Sequence, residues 1–94
     1  MTAERVAAAA VMVRARAFTG GSHKEAVFAA SLAFDISPIT AWTDVRPEDQ
    51  GFVTSRGRFV SRAQAWVIAK REGQLRWDRS LPGVTPELHS EDLR

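Results

Sequence analysis

Gln50-Gly51-Phe52-Val53-Thr54-Ser55-Arg56-Gly57-Arg58-Phe59-Val60-Ser61-Arg62 decides the fold of this 94-residue chain. Phe52-Val53-Thr54 and Arg58-Phe59-Val60 are short runs of β-branched and aromatic residues. Ser55-Arg56-Gly57 between them supplies a hairpin loop with glycine at its left-handed position. Ser61 then opens a helix, and Gln64 three residues on completes a capping box. The helix is predicted to run to about Glu72, with Gly73 as the glycine that ends it. Ala63, Trp66, Val67 and the stem of Lys70 share one face, with Ala65, Ile68 and Ala69 beside them.

Working back from this unit, Val6 to Phe18 is apolar and unbroken. From Val11 it alternates, Val11, Val13, Ala15 and Ala17 on one side and Met12, Arg14, Arg16 and Phe18 on the other, which predicts one long strand. The alanine run before Val11 is equally compatible with helix. Thr19-Gly20-Gly21 breaks the strand, and Ser22-x-x-Glu25 caps a helix expected from about His23 to Phe34. Phe28 and Leu32 form one stripe of it; Val27, Ala30 and Phe34 form the next. Ala29, Ala30 and Ala33 suit close packing on a sheet or a partner helix. Asp35 and Ser37-Pro38 end that helix. Residues 36–50 read as a loop with an acidic turn at Arg46-Pro47-Glu48-Asp49, and Trp42 is expected to fold back onto the core. Residues 74–94 hold few apolar side chains; Trp77, Leu81, Leu88 and Leu93 read as anchors of an arm. The expectation is a single α+β domain: a small antiparallel sheet from the long N-terminal strand and the hairpin, two helices, and an extended C-terminal arm from about residue 76, around a core of about residues 5–75.

A domain of this size buries only about 60–65% of its unfolded surface, so a homo-oligomer is expected. There is no cysteine and there are only two histidines, so neither a disulfide, a metal site nor a cofactor is expected. No apolar run approaches the ~20 residues of a membrane span, and no signal peptide is evident, which predicts a cytoplasmic protein without membrane contact. The net charge is +2, but residues 51–79 carry seven basic and two acidic side chains while both flanks are acidic. Such a dipolar pattern suits an anionic ligand or self-association. The small net charge argues against nucleic acid as the partner. Eleven of the thirteen cations are arginine, which fits bidentate phosphate recognition and also a GC-rich genome.

Two groups of residues are candidates for holding an anion. Thr19, Gly20, Gly21, Ser22, His23 and Lys24 open a capped helix, where backbone N–H groups and the helix dipole attract negative charge. Arg14, Arg16, Arg56, Arg58 and Arg62 offer a basic floor for phosphates. The same segments also read as a glycine-broken strand–helix junction and a solvated hairpin tip. Arg62 opposes the helix dipole and is expected to pair with an acid or a ligand. Phe18, Trp42 and Trp77 are candidates for stacking on a base, whereas Trp66 belongs to the core. No nucleophile, base and acid stand at a catalytic spacing: Ser22 or Ser90 with His23 or His89 forms no recognisable triad, so no enzymatic activity is expected.

The motif residues carry a family likeness. Phe18-Thr19-Gly20 with His23, then Gln50 to Val60 continuing through Arg62, Ala65, Ile68, Ala69, Gly73 and Gln74, and finally Ser90-Glu91-Asp92-Leu93, resemble in order the pattern of a family of small bacteriophage and prophage proteins. Ser22 stands where that pattern often has arginine, and Arg56 where it often has a small residue. The resemblance carries no catalytic residues. It implies a phage-encoded protein acting in the cytoplasm of an infected bacterium. With the clustered arginines, it suggests a binding protein that sequesters a small anionic ligand such as a nucleotide or cyclic-nucleotide immune signal. The alternatives are an inhibitor that docks on a host or defence protein through the arm and acidic loop, and a weak nucleic-acid binder.

Overall fold

The computed structural model describes residues 3–94. Its strands are β1 (Val6–Val13), β2 (Arg16–Gly20), β3 (Gln50–Thr54) and β4 (Phe59–Ser61), and its helices are α1 (His23–Phe34), α2 (Pro38–Thr43) and α3 (Arg62–Arg71). The sheet is antiparallel throughout in the order β2-β1-β3-β4. The α+β class is as expected.

The predicted long strand is instead a hairpin. Val13 pairs with Arg16, so Arg14 and Ala15 alone make the turn. Both have positive φ, 51° and 65°, as a two-residue type I′ turn requires. Such turns are normally signalled by Asn-Gly, and neither Arg14 nor Ala15 signals one, so alternation read straight through. An alanine held in the left-handed region costs about 1 kcal/mol. Set against the entropy that a glycine adds to the unfolded chain, Ala15→Gly should stabilise the protein by about 0.5 kcal/mol, raising the midpoint of a thermal melt by about 3 °C.

The β3–β4 hairpin forms as read, with Gly57 at φ 78°. Ser61 and Gln64 make both capping-box bonds, 2.9 and 3.1 Å. The 36–50 segment is less irregular than expected. Ser37 accepts the Thr40 N–H at 3.1 Å and Pro38 occupies the first turn, giving α2. The Ser37-Pro38 pair thus starts a helix as well as following one.

A bulge between Val6 and Ala8 shifts the alternation of β1, so Val6, Ala9, Val11 and Val13 share one sheet face. Two buried clusters build on that face. Val6, Ala9, Phe52 and Val60 pack with Trp66, Ile68 and Leu75, and Leu88 of the arm. Val11 and Val13 pack with Ala26, Val27, Ala30 and Ala41. On α1 the stripe of Val27 and Ala30 is the buried one, while Phe28 and Leu32 remain 53% and 68% exposed. On α3, Ala65, Trp66, Ile68 and Ala69 are buried and Val67 is exposed.

The C-terminal segment folds back on its own subunit. Leu75 bridges Leu93, the Arg76 N–H donates to Asp92 O at 2.8 Å and the Leu88 N–H to Arg62 O at 3.0 Å. Of the four expected anchors, Leu88 is fully buried and Leu93 packs on the core, but Trp77 and Leu81 are 53% and 66% exposed. The Gln74 amide pairs with Val6 N–H and C=O, both at 2.9 Å, imitating a strand partner.

Candidate functional site

The predicted cations do not converge. β1 separates them: Arg14 and Arg16 lie at its Val13 end, Arg56 and Arg58 beyond its Val6 end, about 23 Å apart along a strand of eight residues. Three of the four are also engaged within the fold. The Arg14 guanidinium lies 5.0 Å from the Phe34 ring centroid and 3.9 Å from Asp44. Arg16 lies over Phe18, at 5.1 Å, and Phe34. Phe18 and Phe34 meet edge to face at 5.6 Å, so Phe18 is a platform for arginines rather than for a base. Arg58 makes a two-pronged bond to the buried Glu4, at 2.6 and 2.8 Å, which Thr54 completes at 2.7 Å. The Arg58 guanidinium and the Thr54 hydroxyl hold the Glu4 carboxyl down at about 2. Of these four, Arg56 alone is exposed with no side-chain hydrogen bond, ion pair or aromatic contact among the described residues.

The helix-start candidates are also committed. Ser22 accepts the Glu25 N–H at 3.2 Å, and the Glu25 carboxylate accepts the Gly21 N–H at 2.8 Å. The protein thus places its own anion where a ligand was expected. Gly20 is needed for close packing: a Cβ there would lie 2.8 Å from the Ala26 nitrogen. Thr19 is exposed on β2 and pairs with Ala10. Lys24 is exposed at the mouth of a groove between α1 and α2 that also holds Phe28, Pro38 and the partly exposed Trp42.

His23 is 9% exposed and pins α1 to the sheet. Its Nε2–H donates to Gly51 O at 2.8 Å, and its ring meets Phe52 edge to face at 5.1 Å. Burial pushes the imidazole below its ordinary value, with the Arg62 charge and His89 adding to this, against the Gly51 bond and Glu91. As pH falls below the ordinary value of 6.5, the folded chain therefore binds fewer protons at His23 than the unfolded chain does. The stability it contributes is complete above that pH and is lost as pH falls through the lower folded value. The urea midpoint should fall between pH 7 and pH 5, and His23→Gln, which keeps a donor, should flatten that slope.

Arg62 pairs with an amide instead of an acid: its Nη2 donates to Gln50 Oε1 at 2.6 Å, while Nε is buried with no partner among the described residues. Glu48 and Glu87 line the cleft beside it.

One unassigned feature lies on α3 and was not legible as a site. A cavity of about 400 Å³ is lined by Trp66, Val67, Lys70, Arg71, Leu81 and Val84 among others. Leu81-Pro82-Gly83-Val84 forms its outer wall as a tight turn, with Val84 N–H donating to Leu81 O at 3.0 Å and Gly83 at φ 75°. Pro and Gly at those places match a type II turn, which fixes Leu81 and Val84 side by side while leaving them 66% and 59% exposed. The turn is braced from within. Arg79 stacks on Trp66 at 4.9 Å and forks onto Asp92 at 2.6 and 3.1 Å. Ser80 accepts from Trp66 Nε1 and Lys70 Nζ, and Lys70 pairs with Asp78 at 3.1 Å. Trp77, proposed for stacking, is exposed on the same arm. The Pro-Gly pair and the spaced leucines of the tail were the available signal; which leucine stays outside depends on where Arg79 clamps the arm.

Among the described residues no group of three His, Cys, Asp or Glu could hold a metal ion, and no helix is long and apolar enough to cross a membrane. A family model described as "Phage T4 y16D protein" matches residues 5–93. No curated protein and no solved structure gives a significant match.

Proposed function

This chain belongs to the phage T4 y16D protein family, and from that we propose that it is a phage-encoded binding protein, not an enzyme, that docks on a protein of the infected cell through the α3–arm cleft. The observation that carries this is the hydrogen-bonded, exposed turn Leu81–Val84 beside Val67. A turn whose backbone is already hydrogen-bonded loses less entropy on binding than an unformed one, and a contiguous patch of exposed apolar side chains marks an interaction surface. Lys70 and Arg71 on the rim favour a partner segment that brings an apolar side chain flanked by a carboxylate. The site of action is the host cytoplasm.

Tagged protein expressed in host cells should retain a stoichiometric host protein. Leu81→Asp with Val84→Asp should lose it while the thermal midpoint stays unchanged, since both side chains already face water. Retention by that double variant refutes the cleft as the docking surface.

Capture of a small anion, such as a nucleotide or cyclic-nucleotide signal, is supported by one feature: the orphaned Nε of Arg62 at the start of α3. Thermal-shift assays against mono-, di- and cyclic nucleotides test it. Stabilisation of the wild type that Arg62→Gln removes would favour sequestration; no shift leaves the protein partner. Arg58 is unsuited to such a test, because reversing its charge sets it against the buried Glu4.

A further inference from the structure

We propose that the α1–α2 face, which shares no lining residue with the α3–arm cleft, is covered by a second copy of this chain, with two α1 helices antiparallel across a two-fold axis. Phe28 and Leu32 of α1 and Ile39 and Trp42 of α2 are 53%, 68%, 78% and 40% exposed. Together they leave about 500 Å² of apolar side chain in water. A stable dimer buries about 800 Å² per partner, of which about 60% is apolar. These four side chains therefore supply about the apolar share that one such interface requires.

The face is also complementary to itself. The groove between α1 and α2, about 470 Å³, is lined by Val27, Phe28, Pro38 and Trp42. Ile39 projects beside it and is the most exposed of the large apolar residues. In a two-fold contact, the Ile39 of each copy enters the groove of the other, so every contact is made twice. Along α1, Phe28 and Leu32 stand symmetrically about position 30, and Lys24 and Asp35 about position 29.5. Antiparallel α1 helices that set Phe28 against Leu32 therefore also set Lys24 against Asp35. Both are exposed, and neither has an ion-pair partner among the described residues. Glu25, which would otherwise crowd Asp35 of the second copy, has its carboxylate turned back onto Gly21 N–H. Half-buried Ala29 and exposed Ala33 permit close approach of the helices.

Sedimentation across the micromolar range tests the proposal. The wild type should have twice the chain mass, and Ile39→Glu should weaken the dimer by roughly tenfold or more with an unchanged far-ultraviolet spectrum. Lys24→Asp should weaken it too, and Lys24→Asp with Asp35→Lys should restore it. A monomeric wild type, or a dimer indifferent to Ile39→Glu, overturns the proposal. A dimer indifferent to Lys24→Asp overturns the antiparallel arrangement. If the wild type is monomeric and Ile39→Glu abolishes capture of a host protein, the occupant of this face is foreign and the proposal also fails. Dimerisation is read without any host protein, so its failure is distinct from failure of the α3–arm docking.

Discussion

Gly51→Ala should cost at least about 3 kcal/mol, a third or more of the total stability of a domain this size. The added methyl would collide with the Val60 carbonyl and come within 2.8 Å of the Phe59 ring. Gly51 lies opposite Ser61 in the β3–β4 pair, so the backbone of β4 would have to move, and Ser61 with it. Ser61 caps α3. The carbonyl of Gly51 also receives the His23 bond that pins α1. One methyl thus disturbs the anchorage of both long helices. Gly57→Ala is the contrast: its φ is 78°, but nothing lies within 4 Å of a new Cβ, so strain alone costs it about 1 kcal/mol. Urea unfolding of both variants separates these effects. Equal midpoints would mean that β4 yields easily and that Gly51 is not a packing requirement.

Arg79→Ala should release the arm and cost about 2–3 kcal/mol, less than a fully buried pair because the Arg79 side chain is 39% exposed. Asp92 is 2% exposed, and without Arg79 its carboxylate keeps the His89 N–H bond at 2.8 Å but no cation. Burial alone would raise the Asp92 carboxyl; the Arg79 fork and the His89 N–H outweigh this and hold it below its ordinary value. The sign follows: this stability is present above the ordinary value of 3.8 and is lost as pH falls through the lower folded one. Release of the turn would also loosen Leu88, which fills the core beside Trp66. Hydrogen exchange at the Leu88 and Arg76 amides should accelerate in Arg79→Ala while exchange in β1 is little changed. Arg79→Lys should rescue little, because an ammonium cannot make the planar two-pronged bond. Deleting the residues after Leu81 cannot separate docking from folding, since it removes Leu88 from the core.

Local signals proved readable where they were self-contained. The Ser61–Gln64 capping box, the Gly57 turn and the Gly73 stop depend on residues within four positions of one another, and each forms as read. The Arg14–Ala15 turn was invisible because its residues are held in a conformation they do not prefer, by pairing of Val11 with Phe18 and Val13 with Arg16. On α1 two apolar stripes competed, and sequence alone did not choose between them; β1 and β2 select Val27 and Ala30 because the smaller side chains let the helix sit close above Gly20.

The candidate site divides the same way. Residue type and spacing identified the cations, the glycines and the aromatics, because charge and backbone freedom are properties of single residues. Which cations remain open to a ligand is a property of pairs: Glu4 meets Arg58 across 54 positions, and Phe34 meets Arg14 across 20. By itself, then, the sequence determined the α+β class, the β3–β4–α3 unit and the family likeness. Only the tertiary structure decided that Arg14, Arg16 and Arg58 are structural, that the arm clamps its own subunit, and that the widest surfaces left open are apolar. The reason is physical: capping and turn energies act over one to four residues, whereas desolvation and ion pairing act between side chains that only the folded chain brings together.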